Sequence, residues 1–461
     1  SRSASSRRAT ARALAVRERM AAVDRRHGCS LLRFTLLALT LATVQSVSLR
    51  RGQSSQANVD FKLELKNVLG VQYHGMFRAG DQDLPVIYDT GSFEIVLLSK
   101  LCGDSCIQGK TPYDSNLSTS FVASDDVMKV MYASGSATSN KGFDSVSIGG
   151  KDSPYKLNKM GLWLIVEHQI PVWDRATFSG IVGLAHPLYM PDGYRSPPKK
   201  LKEGEKPEEL LLPTMGIDIF SMCLERGTVK RGDRRPGWLA MGPKVQALAN
   251  NPGFTSVPVV GEEHWGMKMS GVQAEGLNIS DPCSQGCGAI VDSGTSFIAV
   301  PPNAKPLTDA IEKKLNMNCS NVKDLPVLRL QLDGAVVELP PMAYILTIGG
   351  FCHTAFLKMD SMSQFGPVWI LGMPFLRFHY TIFDRSSKKL HFARSTPACE
   401  PILDAPKPAE AEVAGNASAH HFVSVGSGLY TKRVFASDDY EPMDADSSEA
   451  LPPPASKSFV F

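Results

Sequence analysis

The sequence carries little excess charge of either sign. Forty-nine Lys and Arg stand against forty-six Asp and Glu, a formal net charge of +3. That balance excludes the polycationic composition of a nucleic-acid or polyanion binder. Long apolar runs are scarce as well. Leu31-Leu32 followed by Phe34 to Ala42 is short for a membrane-spanning helix. Long helical periodicities are few, and Lys305 to Leu315 is one amphipathic candidate. No histidine neighbours the closely spaced cysteines at finger spacing, so a zinc site is a weak reading of them.

What is present fits a sizeable secreted protein. The length allows two to three domains, and 43% apolar residues can bury a large core. After Met20 come Arg25, Arg26 and His27, then the short apolar run, then small and polar residues through Ser46 and Ser48. This is the layout of a secretory signal peptide, expected over 20–48. Residues 1–19 are an upstream extension, and 49–58 form a short pro or linker segment. No stable membrane span is expected once the signal is removed. Cysteine usage agrees with an oxidising compartment. Cys102 and Cys106 lie four apart, as do Cys283 and Cys287, while Cys319 and Cys352 form a longer-range candidate pair. Spacing alone does not fix their connectivity. A buried free thiol suits Cys223, and a bond between Cys223 and Cys399 is the alternative. Glycosylation sequons stand at Asn116, Asn278, Asn318 and Asn416.

From Phe61 to about Cys399 the pattern is mostly β. Short apolar and β-branched runs such as Lys129–Tyr132, Val257–Val260 and Val336–Leu339 are broken by Gly, Pro, Asn and Asp. Pro191 to Glu209 reads as an exposed insertion. Residues 401–461, rich in Pro, Ala, Ser, Asp and Glu, read as a disordered tail.

The main organisational signal is an internal repeat. Pro85-Val86-Ile87-Tyr88-Asp89-Thr90-Gly91-Ser92 matches Gly288-Ala289-Ile290-Val291-Asp292-Ser293-Gly294-Thr295. Each copy is followed at a long interval by an apolar-apolar-Gly element, Phe178–Leu184 and Val368–Met373 respectively. One such Asp string usually marks only a turn. Two copies with matching partners imply two lobes on one plan, 59–245 and 246–400. An apolar strand delivers each Asp away from bulk solvent, and Gly91 and Gly294 permit close approach. Two carboxyl groups at contact cannot both ionise, so the pair holds one proton over a pH window. The ionised member can deprotonate water while the protonated member polarises a carbonyl. Neither cofactor nor metal is required.

On these motifs the sequence resembles the pepsin family, which includes cathepsin D and the plasmepsins, from about Gln72 to Phe392. The resemblance implies an all-β, bilobal fold with a central cleft, and an aspartic endopeptidase. It implies catalytic roles for Asp89 and Asp292 and active-site support from Thr90, Gly91, Ser92, Ser293, Gly294 and Thr295. Met131–Ser136 is similar to the family's flap hairpin, which places Tyr132, Ser134 and Gly135 over the cleft. The family's three disulfides fall on Cys102–Cys106, Cys283–Cys287 and Cys319–Cys352. Polypeptide substrates, pepstatin-type inhibitors and a monomeric state are further expectations. So is a location in the secretory pathway, extracellular or in an acidic vacuole or lysosome-like compartment. The chain departs from the family at Val96, where a Trp is usual, at Ala133-Ser134 in the flap, and at Ser179, where Asp is frequent. The alternative reading is a catalytically weak family member acting as a binding or inhibitor protein.

Overall fold

The computed structural model describes residues 59–403 except 69, 104–105, 107–108, 133–134, 171–172, 174–175, 192–207, 227–234 and 349. The expected signal peptide, nearly all of the expected tail, Asn416 and most of the 191–209 insertion lie outside the described residues. Within them strands predominate, interspersed with short helices and turns. No described helix is long and apolar enough to cross a membrane. The amphipathic candidate is the ten-residue helix Lys305–Lys314, which buries Leu307, Thr308 and Ile311.

Local pattern dictates the strands. In Phe61–Val68, Leu63 and Leu65 point inward and Lys62, Glu64 and Lys66 outward, the two-residue period of a half-buried strand. Ile95–Leu98 and Cys287–Val291 have no polar side chain and are buried at every position. Such continuous runs suit strands covered on both faces.

The repeat in sequence is a repeat in topology. Gln82–Asp89 runs parallel to Gly180–Gly183, with Asp89 opposite Gly183. Ile95–Leu98 then pairs antiparallel on the other side of that short strand. In the second half, Cys287–Val291 runs parallel to Gly366–Leu371, and Ile298–Val300 pairs antiparallel with the same strand. Each Asp therefore leaves its strand at the same point of the same three-stranded unit. The two halves also share a continuous antiparallel layer. Phe61–Val68, Gly237–Met241 and Ile219–Leu224 are followed in it by His379–Asp384, Lys389–Arg394 and Thr255–Pro258. Phe220 and Phe383 stack in that layer at 4.7 Å, with Trp265 edge-on to Phe383 at 5.2 Å. Stacked and edge-on rings of this kind add favourable contact to the apolar area buried between the halves.

Four disulfides occur among the described residues. Cys102–Cys106, Cys283–Cys287 and Cys319–Cys352 follow the expected pairing. The free thiol expected at Cys223 is corrected. Cys223 is buried, but it is bonded to Cys399 with the Cα atoms 5.7 Å apart. The cause is a turn after Lys389–Arg394. Cys399 N–H donates to Thr396 O, and Arg226 N–H donates to Pro397 O, which lays the turn over the end of Ile219–Leu224. A separation of 176 residues conceals this contact in the sequence. Peptide mapping under non-reducing conditions should recover all four linked pairs. Cys399→Ser should lower the unfolding free energy by about 2–5 kcal/mol. A free Cys223 thiol in the folded protein would contradict the assignment.

Candidate active site

The two Asp loops meet at their centres. Thr90 N–H donates to Ser293 Oγ and Ser293 N–H donates to Thr90 Oγ1, both at 3.0 Å. Thr90 Oγ1 in turn donates to Val291 O at 2.9 Å, and Ser293 Oγ to Tyr88 O at 2.7 Å. Each hydroxyl thus accepts one bond from the opposite loop and gives one to the opposite strand. Both residues are buried. Losing either hydroxyl would strand a buried amide, at a cost of about 1–3 kcal/mol.

Above this brace sit the carboxyl groups. Gly91 N–H donates to Asp89 Oδ1 at 2.8 Å and Gly294 N–H to Asp292 Oδ1 at 2.7 Å. A Cβ on Gly91 would lie 2.6 Å from Asp292 Cγ, and one on Gly294 2.4 Å from Asp89 Oδ1. Each carboxyl therefore rests on the other loop's glycine, at a contact that no other residue allows. The outer hydroxyls differ. Thr295 Oγ1 donates to Asp292 Oδ2 at 2.5 Å. Ser92 Oγ is buried beside Asp89 without a well-formed hydrogen bond. Its proximity favours the ionised form of Asp89 only partly. Burial first, then the charge of Asp292 and the hydrogen bond between the carboxyls, push Asp89 well above the usual carboxylate range. The arrangement therefore holds one proton between the two carboxyls at pH values where a free carboxyl has lost it.

Residues 72–395 match the family model for eukaryotic aspartyl protease. The chain belongs to that family. It is 28% identical to pepsin A of Bos taurus over 341 residues, which cover 71% of this chain and 86% of the relative. It is 26% identical to chymosin of Callithrix jacchus over 364 residues, covering 76% and 87%. Pepsin A of Gallus gallus is 26% identical over 331 residues, covering 71% and 85%.

Val122–Tyr132 and Gly135–Ile148, which contain the expected flap segment, pair antiparallel as a hairpin. Tyr132 pairs with Gly135. Ala133 and Ser134 themselves, and the Tyr132 side chain, lie outside the described residues. Val96, the position expected to take the family's Trp, faces Trp163 across a parallel pairing. Trp163 and Trp173 join Val96, Met128 and Val130 in one buried cluster, so the base of the hairpin still rests on indole rings. Lys141, buried on the second hairpin strand, pairs with Glu208 Oε2 at 2.7 Å and lies 5.2 Å from the Trp163 ring centre. That ion pair fixes the end of the insertion to the hairpin. Ser179 is buried in the core below.

Two residues near the dyad were not singled out in the sequence. Trp265 Nε1 donates to Leu184 O at 2.8 Å, joining the second half to the segment that follows Gly183. His264, just before it, is buried with its ring 5.2 Å from that of Phe93. The only linear signal was His264-Trp265 after Gly261-Glu262-Glu263.

Buried histidines govern stability in acid. Burial is the largest cause lowering His264, His186 and His379, each to about 4. Their folded values lie below the unfolded 6.5, so the unfolded chain binds protons first as pH falls. The stability they confer is complete above pH 6.5 and is lost down to about pH 4. Asp89 acts in the opposite sense, because its raised value favours the fold at low pH. His74, also lowered by burial, acts in the same sense as the other three histidines. For the most deeply buried, His264 and His379, the loss is at most roughly 3 kcal/mol each. Thermal unfolding should therefore show a higher midpoint at pH 7 than at pH 4, and His379→Phe, if folded, should flatten that slope. A midpoint that rises on acidification would contradict the assignment.

Proposed function

We propose that Asp89 and Asp292 are the catalytic pair of an endopeptidase that hydrolyses polypeptides by direct attack of water. The observation that supports this most is the seating of each carboxyl on the other loop's glycine above the Thr90–Ser293 brace. Such a pair shares one proton. The ionised oxygen accepts a proton from a water molecule as its oxygen attacks the scissile carbonyl carbon. The protonated carboxyl donates to the carbonyl oxygen, which becomes a hydroxyl of the tetrahedral intermediate. Collapse breaks the C–N bond. The leaving nitrogen takes the proton held by the base, and the hydroxyl proton returns to the pair. No covalent intermediate forms.

The remaining roles follow from the same reading. Tyr132, Ser134 and Gly135 belong to a flap that closes on an extended peptide with apolar side chains beside the scissile bond. The lobes are 59–245 and 246–400, and the protein acts as a monomer. It works in the secretory pathway, outside the cell or in an acidic vacuole-like compartment. Four disulfides and three exposed sequon asparagines, Asn116, Asn278 and Asn318, support that location.

Purified protein incubated with denatured haemoglobin between pH 3 and 8 tests the reading. Hydrolysis should follow a bell with its maximum below neutrality, and pepstatin should abolish it. Cleavage that peaks at or above pH 7, or resists pepstatin, would exclude this mechanism. Tight pepstatin binding without cleavage would instead identify a family member that binds peptides.

A further inference from the structure

The mechanism above leaves one buried titratable group beside the dyad without a role. His264 is 5% exposed. It belongs to the turn entering strand Gly266–Ala274, where Gly266 N–H donates to His264 O and Val291 N–H donates to Trp265 O. Val291 immediately precedes Asp292, so the turn is fastened to the strand that delivers one carboxyl. On its other side the imidazole meets Phe93, which follows Ser92 of the first Asp loop. That loop is in turn held to the Gly183 segment. Leu184 N–H donates to Asp89 O and Ala185 N–H to Ser92 O. Trp265 closes the circuit through Leu184 O. The histidine therefore stands between the backbones that aim the two carboxyls.

We propose that His264 is a positioning residue for the dyad: its ring keeps Phe93 of the first loop against the strand bearing Asp292, and its charge in acid holds a second proton off the carboxyl pair. The proposal rests on the reading of Asp89 and Asp292 as catalytic. The charged and titratable groups around the ring set the sign. Burial disfavours the imidazolium most, the charge of Asp292 favours it, and His186 opposes it. His186, 5.3 Å from the Trp265 ring, is in turn disfavoured as a cation first by burial and then by Lys388 and Arg385, and favoured by Glu262. Glu263, on the same turn as His264, is itself pushed up by burial and by Glu262, which weakens it as a competing counter-ion. The attraction between His264 and Asp292 is reciprocal. Whatever the carboxylate does for the imidazolium, the imidazolium does for the carboxylate. A cation that interacts with a carboxyl pair in a partly desolvated site shifts its protonation by about half to one pH unit.

The test is the pH dependence of kcat/KM for the wild-type protein, His264→Phe and His264→Gln, with His379→Phe as a buried histidine whose charged neighbours are Arg226 and Arg394. Phe keeps an aromatic ring against Phe93 without a proton site. The acid limb should move up by half a unit or more in both His264 variants and stay in place in His379→Phe. His264→Phe should keep its plateau within about threefold, because ring packing is retained, and His264→Gln should fall further. An unmoved acid limb, or one displaced to lower pH, overturns the proposal. An arm independent of hydrolysis guards against variants that do not fold. In the chain carrying both Asp89→Asn and Asp292→Asn, the His264 imidazole followed by NMR should titrate at least half a unit lower than in wild type. An unchanged titration overturns the charge coupling. Absence of hydrolysis in the wild type would count against the catalytic reading alone.

Discussion

Two carboxyl groups confined at contact cannot both carry charge, and much of this fold serves to confine them. The confinement is mechanical before it is electrostatic. Thr90 and Ser293 exchange hydrogen bonds so that neither loop can shift without exposing a buried amide of the other. The parallel pairing of Asp89 with Gly183, and of Val291 with Leu371, fixes where each loop leaves its sheet. Only then do Gly91 and Gly294 bring carboxyl and backbone within a distance that a Cβ would fill. The raised protonation of Asp89 follows from that geometry and from burial.

The same burial constrains the rest of the protein. A chain that works as an acid peptidase must remain folded where its buried histidines take up protons. His186, His264 and His379 sit against Trp265, Phe93 and Phe375 respectively. Each is a neutral aromatic spacer at pH 7 and a buried charge in strong acid. The Cys223–Cys399 bond closes the shared layer on its terminal side and opposes acid unfolding through the unfolded state, where it limits chain freedom. The proposed acid chemistry and the buried histidines therefore favour opposite directions of pH.

Much of this was legible in the sequence because it depends on local pattern. The two Asp strings, their downstream apolar-Gly partners, and strands such as Ala335–Leu339 are properties of consecutive residues. The close disulfide pairs are also local. What escaped is made by chain segments that meet only in the fold. Cys399 reaches Cys223 through a turn that no spacing rule encodes. Val96 signals a missing ring, yet the space beside it is filled by Trp163 from a strand some sixty residues later. Lys141 looks like a surface charge until Glu208 and the Trp163 face are placed around it. His264 gains significance only because Phe93 and Val291 come from opposite halves of the chain. The repeat was therefore readable, whereas the contacts that couple its two copies were not.

The central claim is that Asp89 and Asp292 act as one unit. The most direct measurement is a double-mutant cycle on kcat/KM with Asp89→Asn, Asp292→Asn and the doubly substituted chain, each shown to be folded and disulfide-bonded. The account predicts that either single substitution removes nearly all activity, at least about a thousandfold, and that the second adds almost nothing. Independent, multiplicative losses, or a single variant that retains a tenth of the wild-type rate, would contradict it.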